Sequence, residues 1–155
     1  MKEISLASMR WKLFLLGVFK IPMIHFVRPK LLTCSPELIQ IKIPFRRRTK
    51  NHLNSMYFGA LNIGADLAAG LFVYYHGQRY NKQVTLAFKS AKSQFLKRPE
   101  SDVVFSCLEG PLIVNKIEEA INEDIRINFV LPVSAKNSMN EEVALFDMEV
   151  SIRIK

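Results

Sequence analysis

The chain has 155 residues, 49% of them apolar, and a formal charge of +8. That length buries one sizeable core, so a single domain is expected. Two distant cysteines, Cys34 and Cys107, with no C-x-x-C between them, argue against a disulfide framework and fit a reducing, cytoplasmic setting. The charge is uneven: residues 1–50 hold 11 basic and 2 acidic side chains, residues 51–100 hold 6 and 2, and residues 101–155 hold 5 and 10. The basic end suits an anionic partner (a phosphorylated cofactor, a lipid surface or a nucleic acid) or plain solvated charge.

Residues 4–21 predict a first helix, with Trp11, Phe14, Leu15 and Val18 at i, i+3, i+4 and i+7 as its apolar stripe. Packing on the rest of the domain is the default for that stripe, and a membrane surface is the other setting open to it. The apolar run Leu13–Phe19 is bracketed by Lys12 and Lys20 and has no cleavage site after it, which argues against a signal peptide and a membrane span. A short second helix is expected from Pro22 to Val27. Residues 1–35 are therefore assigned as an N-terminal amphipathic helical extension and residues 36–155 as the main domain.

Leu38–Phe45 alternates, with Ile39, Ile41, Ile43 and Phe45 on one face, and predicts a strand. Arg46–Arg48 and Lys50 follow in a loop; the tract is too short, and too poor in aromatics, for nucleic-acid binding. Asn51–Tyr75 then opens with polar residues and continues as about five turns of small and apolar ones around a single carboxylate, Asp66. Asn54 and Ser55 are the expected N-caps. Gly59, Gly64 and Gly70 each cost about 1 kcal/mol relative to alanine in a helix interior, which implies close approach of another element. The stretch is long enough to span a bilayer, but Asp66 at its centre favours a buried helix in a soluble fold.

Beyond it, Val84–Phe88 begins a second strand running towards Leu96, and Val103–Cys107 forms a third, so 84–108 is expected to be a hairpin. A helix follows from Pro111 to about Asp124, with Ile113, Ile117, Ala120 and Ile121 inward. Ile125–Val133 and Phe146–Ile154 are strands joined by a turn at Asn137–Asn140. The class is α+β with a mostly antiparallel sheet of about five strands.

This order, with one strand before a buried small-residue helix and four strands after it, resembles the hotdog fold. Asn51, Gly59-Ala60 and Asp66 resemble the N-x(6)-G-G-x(6)-D pattern of acyl-CoA thioesterases of the phenylacetyl-CoA type, and the run N-H-L-N-S-M-Y-F-G-A-L looks closest to an uncharacterised, thioesterase-like branch of that superfamily. The chain has Asn54, Tyr57 and Phe58 where that family usually has Gly, His and Gly. The resemblance implies hydrolysis of an acyl-CoA or similar thioester. Asp66 would be general base or nucleophile, and Asn51 would orient water or the carbonyl. The N–H groups of Phe58 and Gly59 would form the oxyanion hole. His52, Tyr57, Asn62, Thr85, Arg47, Arg48 and Lys89 are the substrate-binding candidates, the cations for the phosphates of coenzyme A. No cofactor is implied beyond coenzyme A as part of the substrate. A homodimer or homotetramer with the site at the subunit interface is implied as well. The competing reading is a non-catalytic acyl- or lipid-binding protein, at a membrane periphery. His25, His52 and His76 lack metal-ligand spacing, no G-x-S-x-G is present, and Gly59-x4-Gly64 is not followed by Lys-Ser/Thr, so zinc, nucleophile-elbow and phosphate-loop chemistry are not expected.

Overall fold

A computed structural model describes residues 1–155. Helix α1 (Leu6–Leu15) starts at Ser5, whose hydroxyl accepts from the Ser8 N–H at 3.2 Å. Leu16–Lys20 loosens into a π-helical turn, so the predicted helix 4–21 is two pieces. Helix α2 (Pro22–Val27) starts on Pro22 as expected and ends at Arg28 in the left-handed region. Met9 and Leu13 are the buried face of α1, whereas Trp11, Phe14 and Val18 are exposed. That reverses the expected stripe. The segment is apolar nearly all round, so periodicity alone does not select which face turns inward.

Strand β1 (Lys30–Cys34) pairs with β2 (Ile39–Ile43), making six strands rather than about five. A register irregularity between Leu31 and Thr33 accounts for the missing alternation in β1. In β2, Ile39, Ile41 and Ile43 are fully buried, as the alternation predicts. After a 3-10 turn (Arg47–Thr49), helix α3 (Phe58–Arg79) begins three residues later than Ser55. Asn51 is the cause: its Oδ1 accepts from Leu53 N at 2.9 Å, Ser55 N at 3.1 Å and Ser55 Oγ at 3.2 Å. Asn54 takes a positive φ of 58°, and Met56 bridges back to Lys50. Residues 51–56 are thus a closed turn, and Tyr57 precedes the helix without a side-chain cap.

Strands β3 (Val84–Phe95) and β4 (Val103–Cys107), helix α4 (Gly110–Glu123), and strands β5 (Ile127–Lys136) and β6 (Glu142–Ile154) complete the chain. The antiparallel sheet has the order β1-β2-β4-β5-β6-β3. The expected 84–108 hairpin does not form: β3 pairs with β6 at one edge, and β4 lies between β2 and β5. The connection through Pro99 is not a tight turn. The Pro99 carbonyl accepts from Met56 N at 2.7 Å, and the Asp102 carboxylate accepts from Phe45 N at 2.8 Å, so the chain crosses beside the start of α3.

The sheet wraps α3, which is long and apolar enough to cross a membrane but instead packs Ala65, Ala68, Ala69 and Phe72 into the core. The close approach expected from its glycines is visible at Gly64, and Gly77 adds one that was not expected. A Cβ at Gly64 would come within 2.3–2.5 Å of the Phe105 ring of β4, and one at Gly77 would collide with Val84. At Gly70 the nearest atoms are 3.5–3.7 Å from such a Cβ, an ordinary contact. Gly64→Leu should therefore lower unfolding free energy by about 3 kcal/mol, since Phe105 is fully enclosed and overpacking outweighs the propensity gain. Gly70→Ala should be neutral or stabilising by up to about 1 kcal/mol. Urea midpoints of the two variants make the comparison.

Candidate active site

Helix α3 runs antiparallel to the edge strand β3, and paired contacts mark its levels. Phe58 meets Phe95 edge-on at 6.3 Å, and Ser93 donates to Asn62 Oδ1 at 2.9 Å. Gly70 faces the Phe88 ring. Asp66 sits between the last two levels, half-buried, on the same helix face as Asn62 and Gly70. A Cβ on Gly70 would lie 3.7 Å from Asp66 Oδ1. Opposite, β3 carries a bulge: Phe88 pairs with Val150 and Ser90 with Glu149, leaving Lys89 over. Burial alone pushes the Asp66 carboxyl up to about 6.

Asp66 opens into a cavity of about 760 Å³ between α3, the π-helical turn of the N-terminal segment and β3. Its wall is mostly apolar, with Leu16, Phe19, Leu71, Tyr74 and Phe88 prominent. Asp66 is the one carboxylate on it, and Lys12 and Lys20 are its cations. This size and composition suit a small apolar ligand with one polar reacting group.

The N-terminus of α3 forms a second feature. Tyr57 N donates to Thr49 O at 2.7 Å, and the first helical bond is Leu61 N to Tyr57 O at 3.2 Å. The N–H groups of Phe58, Gly59 and Ala60 are thus left without partners in the chain, beside no capping side chain. The Tyr57 ring folds over Gly59 and meets Phe58 edge-on at 5.2 Å. Seven residues of helix put Gly59 and Asp66 about 10 Å apart along the axis, with the Asp66 side chain leaning back towards the N-terminus. Asn62 lies between them, its Nδ2 donating to Phe58 O at 2.9 Å.

The structure therefore gathers Asn51, His52, Tyr57, Phe58 and Gly59 around the start of α3, with Asn51 engaged in its turn and His52 exposed. Of the candidate site residues, only Asp66 lines the large cavity. Thr85 and Lys89 are exposed on β3, just outside it. Arg47 and Arg48 are exposed on the 3-10 turn, and the Arg48 guanidinium lies over the Phe26 ring at 5.3 Å. The N-terminal wall of the cavity (Lys12, Leu16, Phe19, Lys20) was not anticipated. Its one signal in the sequence is an apolar run with no polar face between two lysines. No three His, Cys, Asp or Glu side chains gather as a metal site.

Solved structures share this architecture. A protein of unknown function from Pseudomonas aeruginosa, its name adding "probable thioesterase", superposes with a TM-score of 0.80 at 17% identity, covering 98% of this chain and 97% of that one. A protein of unknown function from Chlorobaculum tepidum gives 0.82 at 13% identity, with 95% of each chain covered. Zebrafish thioesterase superfamily member 2 gives 0.72 at 7% identity, covering 96% and 99%. The molecule has the hotdog fold: a long central helix wrapped by an antiparallel sheet, here with an added N-terminal helix. No curated protein matches the chain in sequence. The family model described as a domain of unknown function, DUF4442, matches residues 10–154, and the chain belongs to that family.

Proposed function

We propose that the protein hydrolyses acyl thioesters of the acyl-CoA class, with Asp66 as the base. The observation that carries this is one unpartnered carboxylate, raised to about 6, on the wall of an apolar cavity of about 760 Å³. The names of the similarly folded thioesterases support the same class of reaction. An acyl chain in the cavity sets its thioester carbonyl near Asp66. The carboxylate takes a proton from water as the water oxygen attacks the carbonyl carbon. The oxyanion is met by free helix N–H donors of the Phe58–Gly59 kind. Collapse breaks the C–S bond, and the proton held by Asp66 leaves with the thiolate, giving acid and thiol. No cofactor enters. Asn51 would add its free amide to the donors, with Tyr57, Asn62, His52 and Thr85 around the thioester. Arg47, Arg48 and Lys89 would meet the nucleotide phosphates.

Two features favour a homodimer, or a tetramer built from it. Strand β3 is a 12-residue edge exposed on most of its length, a template for pairing with a second copy. The exposed rings of Tyr57, Phe58 and Phe95 lie beside that edge. A second copy there would bring its own helix N-terminus towards Asp66, closing the gap of about 10 Å found within one chain. The Tyr57 ring over Gly59 favours a second reading, acyl binding without turnover, in which purified protein carries an acyl ligand but releases no thiol.

The base has a pH signature. With its carboxyl near 6, Asp66 is mostly ionised at pH 7, so kcat/KM should plateau above about pH 7. Below pH 6 it should fall about tenfold per unit. A profile that holds level down to pH 4.5 would contradict Asp66 as the base.

A further inference from the structure

Seven large apolar side chains (Trp11, Phe14, Val18, Phe19, Ile21, Met23 and Phe26) are exposed between α1 and the end of α2, and Trp11 and Phe19 are 60% and 73% accessible. Trp11 and Phe14 stack on each other at 5.5 Å, and Phe14 meets His25 edge-on at 6.0 Å. The inward face of α1 is already filled by Met9 and Leu13, so the outward apolar face is surplus to folding. A patch of this kind on a soluble chain marks an interaction surface.

The charge around it selects the partner. Residues 1–50 carry a net +9, from 11 basic and 2 acidic side chains. Lys20 and Arg28 are exposed at the ends of the patch, and Arg48 lies over Phe26. A smaller cavity of about 480 Å³ beside Phe14 is lined by Arg10, His25, Arg28 and Lys30, with no carboxylate on its wall. A second copy of the chain would bring the same cations against these ones. An anionic bilayer offers both complements: hydrocarbon for the rings and phosphates for the cations.

We infer that the α1–α2 face docks the protein on anionic lipid bilayers, rings inserted at the headgroup level and cations on lipid phosphates. Phe19, Lys20 and Ile21 belong both to this exposed face and to the mouth of the large cavity. Docking therefore turns the cavity mouth towards the lipid. The inference stands on the patch and its charge, and it holds whether or not the protein turns over thioesters.

Trp11 is the only tryptophan, so it reports directly. The full chain is mixed with vesicles of phosphatidylcholine alone or with about a third phosphatidylglycerol, and flotation and Trp11 emission are read together. Recovery with anionic vesicles should be at least about tenfold higher, should fall as salt rises, and should come with a blue shift of Trp11. The double variant Trp11→Ser/Met23→Ser removes two exposed side chains outside both cavities and should cut flotation about tenfold without changing mass in solution. Absence of flotation by folded protein would overturn the inference. So would equal flotation on neutral vesicles, or bound protein with unshifted Trp11 emission. A change of oligomeric mass in the double variant would instead assign the face to a second copy and equally overturn it.

Discussion

Asp66→Asn should fold normally and lose about 10²–10⁴-fold in thioester turnover, the range a positioned general base contributes. The side chain is isosteric and makes no hydrogen bond that the fold depends on; burial is the only influence on its carboxyl. The same variant should be more stable than wild type by about 1–3 kcal/mol at pH 7.5, because an ionised carboxylate with no partner no longer has to be desolvated. Loss of activity together with gain of stability is the mark of a group kept for chemistry. A variant with undiminished turnover would remove Asp66 from the mechanism, and one that fails to fold would make it structural.

The second large effect is hidden in the wild type and appears on mutation. His76 is fully buried on α3 with its Nε2 unpartnered, and burial with Arg79 alongside pushes its imidazole down to about 4. Its unfolded value is near 6.5. The stability it contributes is complete above pH 6.5 and is lost as pH falls through 4, about 3 kcal/mol in all. Asp66 works in the opposite sense. Raised from 3.8 to about 6, it makes the fold most stable below 3.8 and less stable as pH rises through 6, again by about 3 kcal/mol. Between pH 4 and 6 the two nearly cancel. Asp66→Asn should therefore expose a drop of about 3 kcal/mol on acidification from pH 7 to 4, and His76→Gln should expose a rise of similar size. Asp102, held low by the Phe45 N–H, and Glu141, held low by Lys97, titrate alike in all three proteins and drop out of the comparison. Urea midpoints at several pH values provide the test, and parallel curves for the three proteins would contradict it.

Several elements were readable in the sequence because their signal is local. Ile39, Ile41 and Ile43 alternate and are buried, and Ile113, Ile117 and Ala120 recur at helical spacing and face inward. Of the glycines that announced close packing in α3, Gly64 meets the Phe105 ring of another element, whereas Gly70 has only ordinary contacts. What escaped depends on contacts between distant residues. Strand β3 and strand β4 are neighbours in sequence, yet Pro99 is drawn to Met56 and the strands join different partners. The start of α3 was displaced because Asn51 spends its side chain on Leu53 and Ser55, a local bond competing with the helix. Asp66 stood out as a lone carboxylate among small residues, but its cavity did not, since the far wall comes from Leu16 and Phe19, some fifty residues earlier. The outward face of α1 could not be told from its inward face, because both are apolar.

The most direct test of the central claim is thiol release from a panel of acyl-CoAs of increasing chain length, with wild type and Asp66→Asn side by side. The account predicts turnover by wild type that depends on chain length, as the apolar cavity requires, and its loss in the variant. Absence of thiol release by wild-type protein across the whole panel would contradict it.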